Sequence, residues 1–197
     1  KQFEKIKNIW FEKYVNLNNK KKLFFFKKKI DIKKIEKRIN FNLFKNQNFV
    51  EYSEVGTNYL KKISNIIKKN TGCLLLIDYG YTEKKMKNTL QAISNHKFAN
   101  ILDNMGDVDI THNINFEFFR EFTKILGGLD NNLATQKNFL INMGIYKRAE
   151  IISKNLSFTK KADIYYRLKR LIDEKQMGKL FKVLLIKNQE NKFSLGF

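Results

Sequence analysis

Cys73-Leu-Leu-Leu-Ile-Asp-Tyr-Gly-Tyr81 is the stretch on which the fold turns. Five apolar residues follow one another without polar alternation, and then comes an aspartate. Such a run suits a strand buried on both faces, as in a parallel sheet. Just upstream, Val55, Tyr59, Leu60, Ile63, Ile66 and Ile67 recur at helical spacing through residues 54–69, with lysines on the other face. Gly72 reads as the stop signal of that helix. Helix, glycine, buried strand and strand-end aspartate are the grammar of an α/β sheet.

Working outward, residues 9–15 and Leu23-Phe-Phe-Phe26 are strand-like runs either side of Asn18-Asn19, which predicts a β-hairpin. Lysine clusters at 20–22, 27–29 and 33–34 read as solvated strand ends and loops. After Tyr81 the pattern weakens through residue 114. Asn115 is placed to cap a helix whose apolar face is Phe116, Phe119, Phe122, Ile125 and Leu126, ended by Gly127-Gly128. Residues 129–134 suit a short strand, and 138–142, 145–154 and 160–172 suit helices, with Gly144 separating the first two. Residues 180–187 are the best late strand, with Gly178 at its start. No repeat and no Pro- or Ser-rich linker divides residues 1–197, so they read as a single domain.

Composition bounds the function classes. The chain has 197 residues, 43% of them hydrophobic and 14% aromatic, which excludes a disordered tail or a fibre. A chain of this length buries roughly 70% of its unfolded surface, so a core needs no staples. One cysteine, Cys73, excludes a disulfide scaffold or Cys-rich zinc module. No apolar run approaches the ~20 residues of a membrane helix, and no leader peptide is visible. The chain opens on Lys1 rather than Met, which reads as a trimmed chain or a piece of a longer one. The net charge of +20 is almost all lysine; the arginines are only Arg38, Arg120, Arg148, Arg167 and Arg170. Lysine, asparagine, isoleucine and phenylalanine share A/T-rich codons, so much of the basicity reads as genomic composition. A phosphate-gripping surface would be richer in arginine.

The chemistry-bearing groups are few. Asp78, Tyr79 and Gly80 close the buried strand, where α/β sheets bind ligands; a carboxylate there can orient a cationic group, and glycine lets backbone approach closely. Asn88-Thr-Leu-Gln91 precedes His96, and both His96 and His112 lie in the weakly patterned stretch. A histidine there can serve as a base, but is more often a surface residue. Two histidines sixteen residues apart make a poor metal argument, so no metal is expected. Asp109 and Thr111 offer acceptors that read on their own as a capping turn, and Thr135 reads as another cap. No phosphate-cradling glycine loop, G-x-S-x-G elbow or HExxH occurs.

In order along the chain stand Phe49-Val-Glu-Tyr-Ser53, Leu74-Leu-Leu-Ile-Asp-Tyr-Gly80, Asn88-Thr-Leu-Gln-Ala92, His96-Lys-Phe98, Asp107-Val-Asp-Ile-Thr111, Thr135-Gln136, Phe139-Leu-Ile-Asn-Met-Gly-Ile145, Arg148-Ala-Glu150 and Met177-Gly-Lys-Leu-Phe-Lys-Val183. Together they resemble the carboxyl-terminal half of the MidA family of S-adenosylmethionine-dependent methyltransferases. That family includes the mitochondrial protein arginine methyltransferase that assists respiratory complex I assembly. The resemblance runs over nearly the whole chain. It departs at Asn88, where the family often has Asp, and at His112-Asn-Ile-Asn-Phe116, where the histidine is shifted and Asn115 replaces a carboxylate. No catalytic role therefore passes to His112.

The resemblance implies the carboxyl-terminal portion of a Rossmann-like class I methyltransferase sheet, α/β, with a β-hairpin insertion and a helical insertion. It implies S-adenosylmethionine as co-substrate, with the glycine-rich cofactor loop in a half not present, so this chain alone is not expected to bind it well or to be active. A partial sheet would also leave apolar strand edges and helix faces uncovered. The expected substrate is a protein, arginine on a respiratory complex I subunit being the specific candidate. The compartment is a bacterial cytoplasm or the mitochondrial matrix. Asp78 and Tyr79 are the expected catalytic residues. Gly80, Gln91, His96, Asp109 and Thr111, and more weakly Glu51, are the expected substrate-binding wall. Two other classes stay open: a noncatalytic assembly factor on the same fold, and a basic nucleic-acid-binding module, for which no RRM, KH or helix-turn-helix signature is present.

Overall fold

The computed structural model describes residues 1–103 and 106–197. They pack as two compact units, Lys1–Leu60 with Glu83–Asn113, and Lys61–Thr82 with Ile114–Phe197. Helix α2 (Glu54–Asn70) contributes its first turns to one unit and its later turns to the other.

In the first unit, β1 (Gln2–Ile6), β2 (Ile9–Leu17), β3 (Leu23–Lys29) and β4 (Phe49–Glu51) form an antiparallel sheet in the order β3-β2-β1-β4. The expected hairpin is β2–β3. Asn18 closes its turn, its Oδ1 accepting the amides of Lys20 and Lys22. Helix α1 (Ile32–Ile39) starts on Asp31, whose carboxylate accepts the Lys33 amide, and ends on left-handed Asn40. Aromatic packing fills the core: Phe3 is fully buried, and the Phe3 and Trp10 rings both meet Phe44 edge-on. A smaller antiparallel sheet, order β7-β6-β8, is made by β6 (Gln91–Ser94), β7 (Lys97–Ala99) and β8 (Asp109–Thr111).

In the second unit, β5 (Cys73–Tyr81), β9 (Ile114–Asn115), β10 (Leu129–Thr135) and β11 (Phe181–Asn188) form a sheet in the order β10-β11-β5-β9. β11 is antiparallel to both neighbours, and β9 runs parallel to β5. Helix α3 (Phe116–Ile125) is capped by the Asn115 side chain, which accepts the Phe118 amide at 2.9 Å. Helix α4 (Gln136–Asn142) is capped by Thr135 in the same way. Helix α5 (Ile145–Ser153) follows Gly144 at φ 79°, and α6 (Phe158–Ile172) and the single turn α7 (Met177–Leu180) complete the unit. No helix among the described residues is long and apolar enough to cross a membrane.

Five local expectations are corrected. β5 is not buried on both faces in a parallel sheet: its long partner, β11, is antiparallel, and β11 holds the buried position. Val183 and Leu185 are each 1% exposed, whereas Ile77 and Leu75, directly opposite them, are 51% and 44% exposed. β11 has a strand on either side; on its other edge β5 is paired only at Gly80 and Tyr81. Uncovered strand edges and helix faces are the expectation for a partial sheet; here it is a face of β5, carrying Leu75 and Ile77, that is exposed. Asp78 does not end the strand, which continues through Tyr81. The left-handed residue after α2 is Thr71, φ 52°, while the Gly72 carbonyl accepts the Asn188 amide. Gly178 lies inside a helical turn rather than starting a strand; a Cβ there would meet the Ile172 carbonyl oxygen at 2.3 Å. Asp109 and Thr111 lie in β8, paired with Ile93 and Gln91, rather than in a capping turn.

Candidate functional site

The strand that carries Asp78, Tyr79 and Gly80 owes its position to apolar pairing with β11. Asp78 stands opposite Lys182 and Tyr79 opposite Phe181, the two rings meeting edge-on at 5.8 Å. The half-buried Asp78 accepts its neighbour's amide on Oδ1 at 2.8 Å. A carboxylate has about four acceptor positions, so this bond leaves Asp78 capacity for a cationic or hydrogen-bonding group. Lys182 donates to the Gly80 carbonyl at 2.9 Å and so pins the strand where it reaches β9. The close approach that Gly80 allows is taken up by the protein itself: a Cβ there would lie 2.2 Å from the Ile114 oxygen and 2.8 Å from the Phe116 ring.

The other anticipated wall residues fall in the first unit. Glu51, on the last position of β4, is tied down on both oxygens. Gln2 donates to Oε1 at 2.6 Å, while the Thr89 hydroxyl and, at 3.3 Å, the Thr89 amide donate to Oε2. The Thr89 hydroxyl oxygen in turn accepts the Asn113 amide at 2.9 Å, and Gln2 also donates to Asn88 at 2.8 Å. Gln91 donates to Thr111 at 3.2 Å across the β6–β8 pair. Asp109 is exposed on β8, and His96 is exposed in the β6–β7 turn at φ 60°. Glu51, Gln91 and Thr111 therefore belong to hydrogen-bonded clusters, whereas Asp109 and His96 stand outward.

A cavity of about 610 Å³ opens in the first unit, with Glu51, Tyr52, Glu54, Phe25, Asn58 and His112 among its lining residues. Charge on its wall is balanced. Lys1 lies 3.3 Å from Glu12 and 3.5 Å from Glu54, and Arg38 reaches Glu54 at 2.9 Å. Burial, reinforced by the Glu54 charge, pushes the Tyr52 phenol above its ordinary value, so it stays a neutral hydroxyl. Lys13 sits over the Phe25 ring at 3.8 Å, adding a cation–aromatic contact at the rim. Such a wall, paired carboxylates beside aromatic surface, can hold a flat cationic group by exchange of partners.

Sequence reasoning missed Gln2 and Thr89, which hold Glu51, and Asn113, whose amide donates to the Thr89 hydroxyl. Thr89 and Glu51 lie 38 residues apart, so no local pattern in the sequence marks their pairing. Among the described residues no group of three or more His, Cys, Asp or Glu is placed to hold a metal ion. Nor do the glycines form a cradle for a nucleoside donor. The positions where a Cβ would be most crowded, Gly80, Gly178 and Gly196, are packed against Ile114, Ile172 and Phe139.

A family model described as "Putative S-adenosyl-L-methionine-dependent methyltransferase" matches residues 1–133. The mitochondrial protein arginine methyltransferase NDUFAF7 of Danio rerio is 26% identical over 133 residues, 66% of this chain and 30% of that protein. Its Xenopus tropicalis counterpart is 30% identical over 126 residues, 62% of this chain and 28% of that protein. The chain thus spans under a third of the length of these curated relatives. An uncharacterised Burkholderia thailandensis protein superposes with a TM-score of 0.81 at 19% identity, over 100% of this chain and 53% of its own. A second structure from that organism, bound to S-adenosyl-homocysteine, gives 0.78 at 19% identity, over 99% of this chain and 51% of its own. These two likenesses show the fold, that of a class I methyltransferase-like α/β sheet. With well over half of its length matched by the model, the chain belongs to this S-adenosyl-L-methionine-dependent methyltransferase family.

Proposed function

We propose that this chain supplies the acceptor side of an S-adenosylmethionine-dependent protein methyltransferase whose methyl acceptor is an arginine side chain. The observation that carries this reading is the extent of the family match. Residues 1–133 include the whole run from Glu51 through Asp78-Tyr79-Gly80 to Thr111. The names of the relatives, mitochondrial protein arginine methyltransferases, support an arginine acceptor and a mitochondrial compartment, the matrix being the narrower reading. A respiratory complex I subunit is the narrower substrate, and a bacterial cytoplasm is the alternative compartment.

The donor supplies an electrophilic methyl group on a sulfonium sulfur. The residues described here form no cradle for it, so its binding is assigned to polypeptide outside them, and their task is the acceptor. An arginine guanidinium cannot be deprotonated at neutral pH, so carboxylates serve to orient it and to balance charge rather than to abstract a proton beforehand. Asp78 is assigned that role, with the Tyr79 ring fixing the strand against Phe181. Gln91, Thr111 and Glu51, and the exposed Asp109 and His96, are assigned to the polar wall. Alignment of this kind lowers a barrier by about 7–11 kcal/mol without a strong base.

The test is Asp78→Ala in the full-length protein, assayed for methyl transfer to an arginine-bearing protein substrate. Activity should vanish while circular dichroism is unchanged; full activity removes Asp78 from the mechanism. Calorimetric titration of the full-length protein with S-adenosylmethionine separates an enzyme from a noncatalytic assembly factor, which would show no heat of binding.

A further inference from the structure

Helices α5 and α6 are anomalous in their packing. Neither contains a buried residue, although together they carry thirteen apolar or aromatic positions. On α5, Ile145, Ala149 and Ile152 follow i, i+4, i+7 spacing; on α6, Ile164, Leu168 and Leu171 do the same. These six residues line a groove of about 310 Å³. Two helices facing each other leave one side of their shared stripe in water, and a third helix is the usual way to close it. Ile152 is 45% exposed.

The groove is also marked by charge. Arg148, Arg167 and one carboxylate, Asp163, line it, and Arg170 follows on α6, so three of the five arginines fall on this helix pair. In a chain that otherwise uses lysine, that placement is not explained by codon composition. Arg167 bonds the exposed Asp163 at 2.9 Å, and Arg148 has no ion pair among the described residues. Seven basic residues and two acidic ones lie on α5 and α6. A second copy of this chain, itself carrying +20, would bring like charge against like. The complementary occupant is acidic. The groove also lies beyond residue 133, outside the part matched by the family model.

We infer that the α5–α6 groove docks an amphipathic helix of another protein. That helix lays apolar residues at i, i+3, i+4 and i+7 on Ile152, Ile164 and Leu168 and sets flanking carboxylates against Arg148 and Arg167. The occupant is a protein helix of acidic character, and the inference does not rest on methyl transfer. It accounts for both anomalies at once, the uncovered stripe and the concentration of forked guanidinium groups beside it.

The test is fluorescence anisotropy on the full chain with two labelled helical peptides of about 16 residues, identical in their leucine stripe and flanked by glutamate in one and lysine in the other. The glutamate peptide should bind at least about tenfold more tightly, with affinity falling as salt rises. The double variant Arg148→Glu, Arg167→Glu should reverse the preference, and a reversal cannot come from misfolding. Ile152→Asp should weaken both peptides. Equal affinity for the two peptides, or no binding of either, overturns the inference. So does sedimentation showing a dimer that Ile152→Asp dissociates, or capture by phosphatidylserine vesicles that the same charge reversal abolishes.

Discussion

A Cβ atom added at Gly80 would stand 2.2 Å from the carbonyl oxygen of Ile114. The two residues are direct partners in the parallel β5–β9 pairing. Gly80→Ala therefore has to push β9 away or tilt the Phe116 ring, which is fully buried. Overpacking of this kind costs about 1–3 kcal/mol. Thermal denaturation should show a melting point lower by several degrees for a chain of this size. An unchanged melting point would mean that β9 yields without cost.

Leu185 and Leu75 share one rung of the sheet but not one environment, 1% against 44% exposed. Leu185→Ala should cost about 2–5 kcal/mol in urea unfolding, as core truncations do. Leu75→Ala in the same chain should cost within about 0.5 kcal/mol of nothing. Equal losses would show that β5 is covered in solution.

Much of this was legible beforehand. The unbroken apolar runs of β5 and β11, the helix α2, the β2–β3 hairpin and the caps at Asn115 and Thr135 are local signals, and the structure places these elements where they were read. The stripe of α2 is only half right: Leu60 and Ile67 are buried, while Val55, Tyr59 and Ile66 are exposed and Thr57 and Ser64 take the inner face. What escaped was non-local. β6, β7 and β8 are three or four residues each, with Gln91, Lys97 and Asp109 at their starts, and only pairing with one another makes them strands. β1 has only Phe3 and Ile6 as apolar residues and does not stand out, whereas the Ile32, Ile35 and Ile39 stripe of α1 after its Asp31 cap was a legible signal that went unread. The burial of β5 was overestimated because sequence reports apolarity and not which neighbour is present. For the site, the Asp78-Tyr79-Gly80 run was visible as a strand ending, while the Gln2–Glu51–Thr89 cluster spans separations up to 86 residues through Asn88 and leaves no periodic trace.

Thr89 links β4 to the segment before β6, donating to Glu51 and accepting from Asn113. Thr89→Val keeps the shape and removes the hydroxyl, leaving the Asn113 amide without its acceptor and Glu51 short of a donor. Loss of about 1–3 kcal/mol is expected. Amide hydrogen exchange should speed up at Asn113 before other sites in the first unit. Unaltered protection there would contradict the assigned bond.

Glu174 is held at about 2, well below its ordinary 4.5, by hydrogen bonds from Lys137 and Lys179. A carboxylate with a depressed value stabilises the fold above about 4.5, and that contribution disappears as pH falls through about 2. Carboxyl NMR should give a Glu174 midpoint near 2 that moves toward 4.5 in the Lys137→Met, Lys179→Met variant. Because the pair is exposed, salt should move it in the same direction. A midpoint near 4.5 in the unaltered protein would remove this ion-pair network.

β11 is the shared neighbour of β5 and β10, yet it follows both of them in the chain. Until residue 188 clears the ribosomal exit tunnel, two completed strands about fifty residues apart wait with their inner edges empty. Long-range closure of this type is slow and invites aggregation of the nascent chain. A message cut short before the codon for Phe181 would thus leave β5 and β10 without the strand that joins them, and of that sheet only the short β5–β9 pairing.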